Sequence, residues 1–132
     1  MSAKTPKLPA NVCRIAGTDL LYTTSGDEQF PHEDARKWAK RLPKVPGYAK
    51  WDLAEKREAV LLIDDSRYSP AVNTKKHPGI GSYWYWLKPV DASSPADCAW
   101  GVNFGSGTVG GGYRDCHCRA LAVCRPLPAS QQ

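Results

Sequence analysis

The chain predicts an α+β fold, and three observations carry that prediction. Apolar residues recur at helical spacing between Pro31 and Leu42, and again from Leu53. From Ser82 onward the pattern changes to short alternating segments separated by Gly, Ser and Asp, as strands and tight turns require. The order is therefore a strand or hairpin, two helices, then a strand-rich half, which favours a mostly antiparallel sheet with helices packed on it.

Residues Val12 to Thr24 are β-leaning around Leu20, Leu21 and Tyr22, and Ser25-Gly26-Asp27 marks the turn that follows. Pro31-His32-Glu33-Asp34 opens the first helix, with its acidic residues in the first turn where the helix dipole favours them. Ala35, Trp38 and Leu42 line one side of it, and Pro43, Pro46 and Gly47 end it. A second helix is expected over Leu53 to Asp65, with Leu53, Ala54, Val60, Leu61 and Ile63 on its apolar side. Ser66 to Gly81 reads as a loop because of Pro70, Asn73, Pro78 and Gly79.

Strands are expected over Ser82 to Lys88, Ala99 to Phe104, Thr108 to Tyr113 and Arg119 to Cys124. Within the second, Trp100, Val102 and Phe104 share one face, and Gly101 and Asn103 the other. Ser106-Gly107 suits a tight hairpin turn, which would pair residues whose numbers sum to 213 and set Cys98 beside Cys116. Leu121-Ala122-Val123 is apolar on both faces and suits a central strand. The five tryptophans read as core, and of the alternating Tyr83 to Trp86 the tyrosines are expected to face outward.

With 132 residues, 42% apolar and 23% charged, one soluble domain is expected over 12–126, flanked by a basic arm at 1–11 and a tail at 127–132. No apolar run reaches the roughly 20 residues of a membrane span. The first residues carry Lys4 and Lys7 without an apolar stretch, so no signal peptide is read, and a cytoplasmic or virion-associated location is expected. The net charge of +5 is dispersed among Asp27, Glu28, Glu33, Asp34, Glu55 and Glu58, which argues against a dedicated nucleic-acid binder. The partner class expected is a protein or other macromolecule; oligomeric state is left open.

Cys13, Cys98, Cys116, Cys118 and Cys124 make an odd set, so reduced thiols are the starting expectation. Cys116-His117-Cys118 offers zinc ligands by type, yet the one-residue gap is shorter than structural zinc sites use. No Ser/His/Asp, paired-carboxylate or phosphate-loop motif is present, so a non-catalytic protein without a cofactor is expected.

The helix containing Trp38, Trp51-Asp52-Leu53 with Ile63-Asp64, Ser69-Pro70-Ala71-Val72-Asn73, Tyr83-Trp84, Ala99 to Phe104, and Ala122-Val123-Cys124-Arg125 recur in that order in a known family. By these landmarks the chain resembles the Lcl C-terminal-like domain family of the C-type-lectin-like superfamily. It departs from the pattern at Trp51-Asp52-Leu53-Ala54 and at Tyr85-Trp86. The resemblance implies a C-type-lectin-like fold, two helices on a small twisted sheet with a loop-rich ligand face. It also implies that the segment 101–118 could be diversified by a retroelement, in a phage or bacterial setting. That segment lacks Glu, Lys, Gln, Met and Trp, the types that adenine randomisation of asparagine codons does not reach.

The candidate ligand-binding residues are Tyr85, Asp97, Gly101, Asn103, Gly105, Ser106, Thr108, Gly110, Gly112, Tyr113, Arg114, Asp115, Cys116, His117 and Cys118. Tyr113, Arg114, Asp115 and His117 are expected to carry most of the contact energy, as aromatic and arginine side chains commonly do. Two alternatives stand beside this reading. One is an inhibitor from a phage or mobile element that binds a single host protein. The other is a copper or zinc oxidase related to the formylglycine-generating enzyme, with Cys118 and Cys124 as its nearest candidates.

Overall fold

A computed structural model describes residues 11–128. Most of the expected basic arm (1–11) and the last part of the expected tail (127–132) lie outside the described residues. The elements are β1 (Cys13–Arg14), β2 (Leu21–Thr24), α1 (His32–Lys40), β3 (Asp52–Leu53), α2 (Lys56–Ala59) running into a 3₁₀ turn (Val60–Leu62), β4 (Trp84–Val90), β5 (Cys98–Asn103), β6 (Thr108–Tyr113) and β7 (Arg119–Cys124). The α+β class and its seven-stranded sheet follow the order read from the sequence.

The sheet runs β1-β2-β7-β4-β5-β6. All neighbours are antiparallel except β4 and β7, which are parallel. Strand β7 is central: β2 lies along one edge, while β4 at Arg119 and Ala120 and β3 at Ala122 and Val123 share the other. Its residues are buried from Ala120 to Cys124, as a strand covered on both faces must be. Leu121 and Val123 join Ile15, Tyr22, Leu62, Leu87, Val102 and Phe104 in one core layer. Ala120, Ala122 and Cys124 join Leu21, Trp51, Trp86, Ala99 and the α1 residues Ala35 and Ala39 in the other. Alanines on both helix and strand let α1 lie close to the sheet.

The second helix departs from expectation. Asp52 and Leu53 are extended because they pair with Val123 and Ala122, so the helix begins only at Lys56. Glu55 and Glu58 form a reciprocal capping box there. The helical turn is four residues long, and Val60 and Leu61 are about half exposed, not core. Tertiary pairing has overridden the local period. Glu58, itself buried, then receives Arg125 Nε at 2.6 Å and fastens α2 to the end of β7.

The β5–β6 register is a second correction. Asn103 pairs with Thr108 and Cys98 with Tyr113, so paired numbers sum to 211. Phe104 is drawn into the core against Tyr85, with ring centroids 5.4 Å apart, which ends β5 one residue early. A four-residue loop from Phe104 to Gly107 results. Asn103 Oδ1 accepts the Gly105 N–H at 2.8 Å, and Gly107 takes the left-handed conformation at φ 80°. The shift sets Cys98 opposite Tyr113, away from the Cys116 neighbourhood that a sum of 213 would have given. All five cysteines are free thiols.

Candidate functional site

Helix α1 covers one face of the sheet over β7 and part of β4, and its cover stops before β5 and β6. On that uncovered face the sequence supplies glycine. Gly101 pairs with Gly110, and Ala99 with Gly112, so the two strands present almost no side chain there. Trp84, two residues before the buried Trp86 and therefore on the same face, lies across this bare floor. A Cβ added at Gly101 or Gly110 would stand 3.4 Å from the Trp84 ring, and one at Gly112 would stand 4.0 Å from Trp86. The glycines thus leave room that the indoles border.

The opposite wall is the segment Arg114 to Cys118, which forms an arch held at both feet by the entry to α1. Arg114 O accepts the His32 N–H at 2.9 Å, and Cys118 exchanges two backbone bonds with Phe30, at 2.8 and 3.0 Å. Trp86 Nε1 donates to Phe30 O at 2.7 Å, tying the same entry to the sheet. The His32 N–H, one of the first four helix donors that lack an intrahelical partner, is thereby used to fix the arch. Between arch and floor lies a cavity of about 250 Å³, lined by Trp84, Trp86, Gly110, Gly112, Cys116 and Cys118 among others. On the far side of Trp84 a smaller cavity of about 190 Å³ is lined by Gln29, Tyr83, Trp84, His117, Cys118 and Arg119. Arg119 stacks on Tyr83, 3.5 Å from its ring centroid, and donates to Gly26 O at 2.8 Å.

The expected ligand residues do not form one site. Tyr85, Gly101, Gly110, Gly112, Cys116 and Cys118 border the larger cavity and His117 the smaller. Tyr113, Asp115 and Cys116 are exposed at the same end of β6. Asp97 is exposed and joins them, its carbonyl accepting the Arg114 N–H at 2.7 Å. Arg114 itself is half-buried, with Nη1 on Pro95 O at 3.2 Å. Asn103, Gly105, Ser106 and Thr108 sit at the other end of the hairpin, roughly 17 Å away by strand rise. There Gly105 O accepts the Ser69 N–H at 2.8 Å, and Gly107 approaches Ile63. That end serves to anchor the hairpin on the 63–71 loop.

Two expectations about the aromatic residues fail. Tyr85 is only 1% exposed, because β4 turns it into the Phe104 layer, where its hydroxyl oxygen accepts the Gly81 N–H at 3.0 Å. Its ring is turned away from the face, although the residue still borders the larger cavity. Gly101 is likewise buried, beneath Trp84. Trp84, read as core from the sequence, is 41% exposed, while Trp51 and Trp86 are buried and Trp38 and Trp100 are half-buried against the core layers. The signal that could have found Trp84 is the pair Gly101 and Gly110 under its ring, which offers no side chain to cover the indole.

Two buried histidines hold the frame. His32 Nε2 donates to Leu87 O at 2.8 Å, and its ring meets Trp86 edge-on at 5.2 Å. His77 Nε2 accepts the Ala16 N–H at 3.0 Å. Burial lowers both pKa values, so neutral rings are favoured. In the cavity, burial and the neighbouring Cys116 push the Cys118 thiol up, and burial pushes Cys124 up to about 12. Among the described residues, no three His, Cys, Asp or Glu side chains come together as a metal site would require. No helix among them is long and apolar enough to cross a membrane.

No curated protein matches the chain. The family model described as the Lcl C-terminal domain matches residues 11–124, a span that includes every strand of the sheet, the arch and both cavities. By that match the chain belongs to the Lcl C-terminal domain family.

Proposed function

We propose that the chain is a non-catalytic recognition domain on a C-type-lectin-like scaffold. Its ligand face is the glycine floor of β5 and β6, the Trp84 indole and the arch 114–118. One observation carries this reading. Gly110, Gly111 and Gly112 lie in regular strand with none at positive φ, so no backbone conformation requires glycine there. Glycine within a strand costs roughly 0.5–1 kcal/mol relative to alanine. A run of three, next to an exposed tryptophan and an open cavity, keeps a surface free for something else to occupy.

The raised Cys118 pKa supports binding over nucleophilic chemistry, since the thiolate is the reactive form. The neutral, structurally committed states of His32 and His77 leave neither as a base for this cavity. The ligand is read as a protein or other macromolecule, engaged by Tyr113, Asp115, His117 and Trp84. Diversification of 101–118 remains part of the proposal in narrowed form. Val102 and Phe104 are fully buried, so variation would be confined to the positions that face the floor and the arch.

The test is differential capture on immobilised protein. A ligand retained by the wild type should be lost on Trp84→Ala and on Gly112→Val, and kept on Ser106→Ala at the far end of the hairpin. Loss on Ser106→Ala with retention on the other two would remove the reading. A near-copy of the codons for Ala99 to Arg125 beside a reverse-transcriptase gene, differing at adenines, is what the diversification part requires.

A further inference from the structure

Among the described residues, strand β6 is the last in the sheet, paired only with β5. The N–H of Arg114 donates to Asp97 O at 2.7 Å, which marks 97 and 114 as a hydrogen-bonded pair and fixes the alternation along the hairpin. Thr108, Gly110 and Gly112 therefore direct their backbone groups toward β5. Val109, Gly111 and Tyr113 direct theirs away. Tyr113 O is taken by the Cys116 N–H at 3.0 Å, whereas the N–H groups of all three, and the carbonyls of Val109 and Gly111, have no partner among the described residues. Among the described residues nothing blunts this edge. It holds no proline, no charged side chain and no bulge, the devices by which exposed edges are ordinarily protected.

We propose that β6 binds an extended polypeptide segment of its ligand by strand addition, with an apolar side chain of the added strand seated in the cavity beside Trp84. The proposal rests on the reading of this face as the ligand face and gives the ligand its chemical class. Residues of an added strand opposite Gly110 and Gly112 would share their face and stand over the cavity bordered by Trp84, Trp86 and Cys116. The residue opposite Gly111 would face the other side, where Asp91 Oδ2 lies 3.5 Å from the position of a Gly111 Cβ. Hydrogen bonds from Ser93, and to a lesser degree the Lys56 ammonium, hold the Asp91 carboxyl below the usual carboxylate range; Lys56 also lies 3.3 Å over the ring of Trp100, the partner of Gly111, so both signs of charge stand on that side. That side therefore suits a polar residue, able to meet Asp91 or Lys56, between two apolar ones. A second copy of this chain is the poorer occupant. Antiparallel pairing of β6 with itself would set glycine against glycine and add no side-chain contact to the ladder.

The probe is a phage-displayed library of random dodecapeptides selected on the intact protein. Selected peptides should carry an apolar-polar-apolar alternation, and methylating the backbone nitrogens on their bonding edge should abolish binding. Gly111→Pro removes the central outward donor without touching the bonds to β5, and should weaken the selected peptides by about tenfold or more with the thermal midpoint kept. Asp91→Asn, on the side away from the cavity, should change the affinity of the same peptides by no more than a few fold. Recovery of no binding peptide, or peptides indifferent to Gly111→Pro, would overturn strand addition. Slow amide exchange at Gly111 in the free protein, equal to that at Gly112, would overturn it without any ligand. A ligand lost on Trp84→Ala but indifferent to Gly111→Pro would leave the recognition face standing and remove only its mode of engagement.

Discussion

Replacing Gly112 by valine should make the protein more stable while closing the face held to bind. A Cβ at Gly112 would meet nothing closer than Trp86 at 4.0 Å, ordinary contact distance, and the residue lies in strand with no positive φ. The substitution therefore gains the lower unfolded-state entropy of a branched residue and a better strand former, about 0.5–1 kcal/mol together. For a domain of this length that corresponds to a rise of roughly 2–6 °C in thermal midpoint. The added isopropyl group meanwhile fills part of a cavity of about 250 Å³. Urea unfolding of the two proteins, followed by tryptophan fluorescence, reads the stability difference directly. A destabilisation of 1 kcal/mol or more would refute the reasoning, because it would show that the fold itself demands glycine at this position.

Four further outcomes follow from the same geometry. Phe104→Ala should cost about 3–5 kcal/mol in urea unfolding, since the ring is fully buried against Tyr85 and its removal leaves a cavity. Glu58→Gln should cost about 2–3 kcal/mol by the same measurement. That is less than a sealed ion pair would lose, because the Arg125 side chain keeps 32% exposure and can rehydrate. Because burial lowers the His32 and His77 pKa values, the folded state binds fewer protons than the unfolded chain below about pH 6.5. Their contribution is complete above that pH and declines as pH falls through the lowered folded values, so the urea midpoint should drop between pH 7 and pH 5; a flat profile would count against both assignments. Iodoacetamide at neutral pH should modify the exposed Cys116 first and leave Cys124 to the end, as peptide mapping with time would show.

The frame of the molecule was legible because its signals are local and strong. The α1 period with its acidic first turn, the limits of β6 and the doubly apolar β7 all appear in the structure close to where composition placed them. What escaped is set by partners distant in sequence. Leu53 looked helical until Ala122 claimed it for the sheet, and the hairpin register turned on whether Phe104 would continue the strand or enter the core. The same limit governs the site. Gly110 and Gly112 were identified as permissive, yet the residue that gives their emptiness meaning is Trp84, supplied by a strand two places away. Tyr85 lies inward and Trp84 outward because Tyr85 packs on Phe104, while Trp84 pairs with Asn103 and its ring lies over Gly101 and Gly110. The arch 114–118 owes its position to Phe30 and His32, far upstream, and no motif at either place announces the connection.

Amide hydrogen exchange across the chain, with and without the ligand recovered by differential capture, tests the central claim most directly. New protection is expected at 109–118 and around Trp84, with the hairpin end at 103–107 unchanged. Protection confined to that end, or to the separate cavity between Asn11 and Gly79, would contradict it.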